Sequence, residues 1–356
     1  MNNRFKNGIA LSIIPQIIIV KWLGSYPELI ENYYSKGVYP LISNLYRLVF
    51  GWLPFSMGDL IYAILIILAI WYIIVNRNQI IKNLKFFFRD IAMILSVAYF
   101  TFHIMWGLNY YRIPLSQQLE LKDSYTNDEL IVFTEKLIER TNELQYKITS
   151  DTSQIVEIPY SQKEIMQKTL KGYSELETKF PLFSYNNPSL KKSTFSTALT
   201  YMGYGGYLNP FTNEAQVNAK IPNFRFPVIT GHEIGHQVGY SAENEVNFIG
   251  YIVTVYNKDL YFKYSASAYA LSYSLSEIKL KDETKFHELY SRLNSGVQKN
   301  YEELNKFWMA YQNPLEPIFK AIFNSFLKAN NQEQGIKSYR QIVALLVTYH
   351  MKYPIE

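Results

Sequence analysis

Two histidines, His232 and His236, stand four residues apart in the stretch GHEIGHQVGYSAENEVNF, and Glu233 directly follows the first. On an α-helix, residues four apart project from the same face, where two imidazoles can share one zinc ion. A glutamate beside the first ligand can reach a water at the metal's open position and take its proton. The spacing predicts a zinc site with Glu233 as catalytic base, and the alternative is a chance grouping of polar residues.

The residues after this motif predict a third ligand. Gly239 is expected to end the first helix, because glycine adopts the left-handed conformation at little cost. Ser241 is expected to cap a second helix, which would place Glu243 in its first turn, facing the histidines. A carboxylate ligand there would leave one position open for water, as a catalytic zinc site requires.

The predicted second helix carries two more polar side chains. Asn247 lies one turn beyond Glu243 on the same face and can orient a ligand histidine through its second ring nitrogen. Glu245 lies about 200° from Glu243 around a helix, so only one of the two can face the metal. We expect Glu243 to be the ligand and Glu245 to be supporting or solvated. The alternative is that both glutamates only complement the helix dipole.

Three apolar stretches precede the motif. Residues 60–75 carry no charge, and residues 91–110 contain only the neutral His103. Because a span needs roughly 20 mostly apolar residues, both predict membrane helices. Residues 9–20 are expected to be an uncleaved first span, since no small-x-small cleavage pattern follows, and a cleaved signal peptide is the alternative. The predicted spans are about 8–24, 57–76 and 90–110.

Basic residues predict the orientation of these spans. The stretch between the second and third spans contains Arg77, Lys82, Lys85 and Arg89, and such loops remain in the cytoplasm. The chain beyond residue 112 is then extracytoplasmic. The protein is expected to be a multi-pass protein of a bacterial inner membrane, with this part in the periplasm. The absence of cysteine agrees with an oxidising compartment. The net charge of +5 is mild, so no nucleic-acid partner is expected.

The remaining patterns predict a mainly α fold with a small antiparallel β-sheet. Apolar spacing predicts helices at 127–150, with Asn127 as cap, and at 161–179. In residues 194–221, alternating and β-branched residues are interrupted by glycines, which predicts a small antiparallel sheet or hairpin. Further helices are expected at about 228–238, 243–257, 265–278, 282–297, 301–312 and 336–352. The chain thus divides into a membrane region, 1–112, and an extracytoplasmic domain, 113–356.

Residues 25–59 are rich in aromatic residues and leucine. They are expected either to lie at the membrane interface, where aromatic rings prefer to sit, or to form a folded loop packed on the outer domain.

The sequence HEIGH followed by ENEVN resembles the gluzincin zinc metallopeptidases, in which a glutamate on a second helix completes the metal site. The three-span start, GGYLNPFTNEAQVN and KANNQEQGIKSY together resemble an uncharacterised bacterial family of membrane-anchored proteins with a predicted zinc-peptidase site. The resemblance covers nearly the whole chain. It implies a zincin-like fold, with His232, His236 and Glu243 as zinc ligands and Glu233 as base. Two features depart from the gluzincin pattern: only seven positions separate His236 from Glu243, and Asn247 replaces an acidic residue.

These features predict a membrane-anchored, zinc-dependent hydrolase, most simply a metallopeptidase acting on a peptide or protein substrate. Residues 207–219 are placed to pair with an extended substrate, or they form a plain structural hairpin. The oxyanion donor is expected among four side chains: Tyr204, Tyr207, Tyr240 and Arg340. The alternative function is a non-catalytic membrane scaffold or sensor with a structural metal site.

The first testable prediction concerns topology. Alkaline phosphatase, fused after residue 356, should be active in cells. The basic stretch from Arg77 to Arg89 is expected to stay in the cytoplasm, which places residue 356 on the other side of the membrane. The matched control is a fusion after Lys82, which should be inactive. The reverse pattern would contradict the predicted orientation.

Overall fold

The N-terminal part of the molecule is a series of helices. The structure, a computed structural model, describes residues 2–122 and 124–355. The first helices are α1 (Asn3–Leu11), α2 (Ile13–Gly24), α3 (Pro27–Leu29), a π-helix (Ile30–Val38), α4 (Tyr39–Phe50), α5 (Met57–Lys82) and α6 (Leu84–Met105).

Three of these helical segments in the described chain are long and apolar enough to cross a membrane: Asn3–Gly24, which combines α1 and α2, then α5 and α6. At 1.5 Å per residue, 22 residues extend for about 33 Å, and a bilayer core is about 30 Å thick. Large apolar side chains such as Ile67 and Trp71 are exposed along α5. The predicted number of apolar helices is confirmed, and their surfaces favour association with a membrane.

The bounds of the second and third apolar helices differ from the prediction. Only Asn83 separates α5 from α6, so the basic stretch expected as a loop is mostly helical. The third helix ends at Met105 rather than near residue 110, and Gly107–Tyr111 form a 3₁₀ helix. Tyr110 and Tyr111 are buried there by protein. Their apolar character therefore serves packing, which hydropathy alone does not distinguish from contact with lipid.

The segment between the first two spans has features of both expected placements, a loop packed on the C-terminal domain and a segment with an exposed apolar face. The Tyr39 hydroxyl donates a 2.9 Å hydrogen bond to the backbone carbonyl of Gln237, so one face of α4 packs on the C-terminal domain. The opposite face leaves Leu41, Leu45 and Leu48 exposed. These leucines are three or four residues apart and form one apolar stripe.

The rest of the chain is mainly helical, as predicted. Its helices are α7 (Leu115–Gln118), α8 (Asn127–Thr149), α9 (Gln162–Lys179), α10 (Ser196–Met202), α11 (Phe226–Gln237), α12 (Glu243–Val255), α13 (Leu260–Lys281), α14 (Glu283–Ser291), α15 (Ser295–Ala310), α16 (Glu316–Ala329) and α17 (Ile342–Lys352). Two short 3₁₀ helices, Pro181–Phe183 and Gly335–Gln341, complete them.

The described residues contain a three-stranded sheet whose strands are β1 (Leu190–Lys192), β2 (Gly206–Asn209) and β3 (Glu214–Val217). Its order is β1-β3-β2; β2 pairs antiparallel with β3, and β1 pairs parallel with it. The expected purely antiparallel sheet is therefore wrong in one detail, because β1 joins from an earlier segment through α10. The predicted sheet region began at residue 194, so it missed β1 and included α10.

Local capping explains several helix starts. Thr126, rather than Asn127, caps α8, and its side chain and that of Glu129 form a reciprocal capping box. Ser161 and Glu164 form the same device at α9. α16 was not predicted, although the apolar residues of its sequence EPIFKAIFNSFLKA recur at helical spacing.

Helices α11 and α12 lie at the centre of the C-terminal domain, and nearly all of their residues are buried. Glycines allow the two helices to cross at close range. A Cβ at Gly250 would lie 2.6 Å from the Val228 carbonyl oxygen and 3.0 Å from the His232 nitrogen, and a Cβ at Gly231 would lie 2.5 Å from the Val253 side chain. This crossing brings the first turns of α12 against the histidines of α11.

Candidate metal centre

The first metal-site helix, α11, carries His232 and His236 one turn apart. Pro227 lies in its first turn, where its missing N–H costs no hydrogen bond. Gly239 follows the helix with a φ of 98°, the left-handed conformation that the sequence predicts for it. The chain then reverses toward α12.

The second metal-site helix, α12, begins at Glu243, but its cap differs from the prediction. Ala242 occupies the N-cap position in an extended conformation and offers no capping side chain. Ser241 lies one residue too early, and its buried hydroxyl has no hydrogen-bond partner among the described residues. The expected position of Glu243 in the first turn nevertheless holds, because the helix starts directly after Ala242.

Three side chains converge as potential metal donors. The Glu243 carboxylate places one oxygen 3.6 Å from His232 Nε2 and the other 4.0 Å from His236 Nε2. Donor atoms around a tetrahedral zinc ion lie roughly 3.3 Å apart, given zinc–nitrogen distances of about 2.0–2.1 Å. Donor atoms of His232, Glu233 and His236 also lie within 4.8 Å of one another. The spacing therefore suits a single ion with only small side-chain adjustments.

Hydrogen bonds fix the orientation of both imidazoles. His236 Nδ1 lies 2.8 Å from the Tyr240 carbonyl oxygen, which can only accept a hydrogen bond. His232 Nδ1 lies 2.9 Å from Asn247 Oδ1, which also accepts a 2.6 Å hydrogen bond from the Tyr269 hydroxyl. With Nδ1 protonated, the lone pair of each neutral imidazole is on Nε2, directed at the common point. The structure thus places Asn247 where the sequence predicts it.

Glu245 points away from the histidines. Its Oε1 accepts a 2.7 Å hydrogen bond from the backbone N–H of Leu115. Burial raises the pKa of Glu245 to about 7, although the Leu115 N–H and the Arg112 charge oppose the rise. Glu245 is 7% exposed, so it is a supporting residue and not a solvated one.

The electrostatics of the buried donors suit a cation. Burial, with the neighbouring His236, holds the pKa of His232 well below its usual range, and burial lowers that of His236 to about 4. Both imidazoles are therefore neutral at pH 7. Burial raises the pKa of Glu243 to about 7, and burial together with Glu243 raises that of Glu233 well above its usual range.

Unpartnered polar atoms point to the same conclusion. Among the described residues, one carboxylate oxygen each of Glu233 and Glu243 is buried without a hydrogen-bond partner. Such groups are costly in a protein interior unless an ion or water satisfies them. A divalent cation would stabilise the ionised carboxylates and use the free imidazole nitrogens. These residues therefore fit a metal ion.

A cavity of about 530 Å³ opens at these donors, which contribute to its lining. Two of the four expected oxyanion donors, Tyr204 and Tyr207, also line it. Tyr207 donates its hydroxyl to Asp59, however, and Tyr240 lies outside the cavity with its ring against Arg112. Arg340 is exposed and outside the cavity lining.

Tyr339 is the candidate donor that the sequence analysis missed. Its side chain lines the cavity, and its hydroxyl near Glu243 partly offsets the rise in the pKa of that carboxyl. Burial, with Glu243 and Glu233 nearby, raises the pKa of Tyr339 well above its usual range, so the hydroxyl keeps its proton. Tyr339 is the last residue of KANNQEQGIKSY, a stretch that carries the family resemblance, but it was not among the four expected donors.

A family model described as "Protein of unknown function (DUF3810)" matches residues 34–347. The chain belongs to this family. The DUF3810 match includes α5, α6, the sheet and every residue of the metal centre, whereas α1 and α2 precede it. No curated protein and no solved structure matches the chain.

The second prediction separates the two glutamates of this DUF3810 site. Glu243→Ala should lose most bound metal during dialysis against a weak chelator, because two imidazoles and solvent remain. Glu245→Gln is the matched control; it keeps an oxygen that can accept the Leu115 hydrogen bond and should retain the metal. Asn247→Ala should weaken binding by about 10- to 100-fold, as expected for a residue that orients a ligand.

Metal analysis of the three purified variants measures this. Loss of metal from Glu245→Gln with full retention by Glu243→Ala would show that the assignment of the third ligand is wrong.

Proposed function

We propose that the protein is a membrane-anchored, zinc-dependent metallopeptidase. The observation that carries this proposal is the convergence of two neutral imidazole nitrogens and the Glu243 carboxylate beside Glu233, at the wall of an open cavity. We further propose a zincin-like arrangement of α11, α12 and the sheet, and an extracytoplasmic position of this domain at a bacterial inner membrane.

The donor set supports zinc as the metal. Two imidazoles and one carboxylate, with a position left for water, are a known ligand set of catalytic zinc. A site selective for Mg²⁺ or Ca²⁺ would have oxygen ligands instead. The hydrogen bonds from Asn247 and Tyr240 to the ring Nδ1 atoms support this reading, since ligand histidines usually donate their second N–H to such acceptors.

Bound zinc supplies the Lewis acid that activates water and polarises a substrate carbonyl at neutral pH. Glu233 contributes the proton transfer. Its unpartnered carboxylate oxygen can accept a proton from the attacking water and deliver it to the leaving amine. Tyr339 keeps its hydroxyl proton and lies near both Glu233 and Glu243. It can donate a hydrogen bond to the oxygen that becomes negative as the peptide carbonyl is attacked.

Strand β2 is placed to hold an extended substrate. It lies at the edge of the sheet and lines the cavity. An extended peptide can add to such an edge through main-chain hydrogen bonds. Gly206 of this strand has a local reason to be glycine, because a Cβ there would lie 2.5 Å from a Glu233 carboxylate oxygen. The strand and the base are therefore in direct contact.

The alternative of a structural metal site in a scaffold or sensor has weaker support. Structural zinc is held by four protein ligands and is closed to solvent. A fourth ligand would have to be Glu233, the remaining acidic donor of the cluster. The cavity beside these residues instead offers space for water and substrate.

The third prediction tests the base. Glu233→Gln should keep about one equivalent of zinc and lower peptide cleavage by about 100-fold or more, because glutamine cannot accept the proton. The assay uses full-length protein in lipid nanodiscs and randomised fluorogenic peptides, both free and membrane-anchored. Glu288→Gln, a change at a half-exposed side chain on α14, is the control and should have wild-type activity. Wild-type cleavage by a zinc-loaded Glu233→Gln would overturn the peptidase mechanism.

The fourth prediction concerns Tyr339. Tyr339→Phe should retain zinc and lower kcat by about 10²- to 10³-fold with little change in KM, since its hydrogen bond forms only as the oxyanion develops. Tyr273→Phe removes a hydroxyl from the same cavity wall and should change kcat by less than tenfold. Equal effects of the two changes would show that Tyr339 has no specific role in the reaction.

A further inference from the structure

Helix α16 has an apolar surface that the described part of the chain leaves uncovered. Leu315, at its start, and Ile318, Ile322 and Phe326 within it follow one another at three- or four-residue spacing. All four are exposed, and Ile322 is 63% exposed. The spacing places them on one stripe of the helix. A neighbouring face of the same helix packs on the protein, since the Phe323 ring lies 5.4 Å from that of Tyr204.

The position of α16 indicates what covers this stripe. Its C-terminal end contacts the spans, since Lys21 Nζ at the end of α2 donates a 3.0 Å hydrogen bond to the Ala329 carbonyl. The Phe326 ring lies 5.8 Å from that of Phe102, in the last turn of α6. The exposed stripe is therefore continuous with the apolar surface of the membrane helices. On the opposite side of α16, Lys320 is exposed to solvent.

The catalytic cavity lies at the same ends of the membrane helices that α16 contacts. Its wall includes Tyr62 from the second turn of α5, Phe102 from the last turn of α6 and Phe323 from α16. The metal donors lie close by, because Trp106, the residue after α6, donates a 3.0 Å hydrogen bond from its indole to the carbonyl of His236. The metal centre thus lies at the ends of the spans and not at the far side of the domain.

Lipid is the environment that fits these observations. A contiguous apolar stripe exposed to water is costly, whereas a helix with apolar residues on one face and lysine on another is stable in the plane of a membrane interface. The exposed leucines of α4, which connects the first two spans, provide a second apolar surface beside the membrane helices. Two such surfaces next to the span ends support immersion in one leaflet.

We infer that the cavity opens sideways, between α5, α6 and α16, into the leaflet at these span ends. The substrate is then a polypeptide that is itself anchored in the membrane and is cut close to the bilayer surface. The aromatic side chains of Tyr62, Phe102 and Phe323 would receive its apolar juxtamembrane residues, while β2 and the metal centre receive the extended segment that follows. This inference rests on the proposed peptidase function for the reaction, but the placement of α16 is independent of it.

The placement of α16 is tested with single cysteines, because the native chain contains none. Ile322→Cys and Lys320→Cys are labelled with bimane in the full-length protein and reconstituted in phosphatidylcholine vesicles. Nitroxide-labelled lipid should quench the label at position 322 at least twofold more strongly than at 320. A water-soluble quencher should show the reverse order. Shielding of position 322 from both quenchers would indicate a second protein copy on this face and overturn the inference, as would equal exposure of both positions to water.

Substrate class is tested with one randomised peptide library carried in three ways. The library is free, fused directly to a transmembrane helix, or fused to that helix through about 40 glycine and serine residues, which span roughly 35 Å on average. Both anchored forms share the bilayer with the enzyme, so the linker isolates the effect of distance from the membrane. Each rate is measured as the difference between wild type and Glu233→Gln.

Sideways entry predicts that the directly fused library is cleaved at least tenfold faster than the free one and at least as fast as the long-linker form. Cleavage of only the long-linker and free forms would overturn sideways entry and leave the peptidase function standing. No cleavage of any form by zinc-loaded wild type would contradict the peptidase function and the substrate class with it; the quenching result would still report the position of α16.

Discussion

The close crossing of α11 and α12 is the constraint on which the metal centre depends. Each helix alone presents an incomplete donor set: two imidazoles on α11, and a carboxylate with an amide on α12. Gly231 and Gly250 remove the side chains that would separate the helices, since a Cβ at either position would collide with the facing helix. Only at this separation can Asn247 hydrogen-bond His232 while Glu243 faces both imidazoles. The backbone packing of α11 against α12 therefore determines the geometry of the donor atoms.

The same helix pair is attached to the membrane part of the chain. Carbonyl groups at the end of α11 have few helical partners, as at any helix C-terminus. Here Trp106 donates to the His236 carbonyl, Tyr39 to that of Gln237, and Arg112 to that of Gly239. Arg112 is also paired in two hydrogen bonds with the buried Glu31, whose pKa falls because these bonds outweigh the effect of burial. Residues beside the three apolar helices thus fix the end of α11 relative to those helices.

Sequence patterns predicted the cluster of His232, Glu233, His236 and Glu243 better than its surroundings. The positions of His232, Glu233 and His236, and the orientation of Glu243 relative to Glu245, follow from helical periodicity alone. Ser241 as cap and Arg340 as one of four possible oxyanion donors followed from residue type. Neither fits the structure, because α12 starts after Ala242 and Tyr339 rather than Arg340 lines the cavity. The parallel pairing of β1 is a contact between distant segments that no local pattern encodes. α16 was missed although its apolar residues recur at helical spacing.

The central claim is that His232, His236 and Glu243 hold one zinc ion beside Glu233. Zinc K-edge X-ray absorption of the purified full-length protein tests this most directly. The account predicts one equivalent of zinc with two imidazole nitrogens at about 2.0–2.1 Å, oxygen donors at about 2.0–2.2 Å and a total of four or five ligands. Sulfur cannot contribute from cysteine, which the chain lacks. A first shell made only of oxygen, or well below one equivalent of zinc in protein purified without chelator, would contradict it.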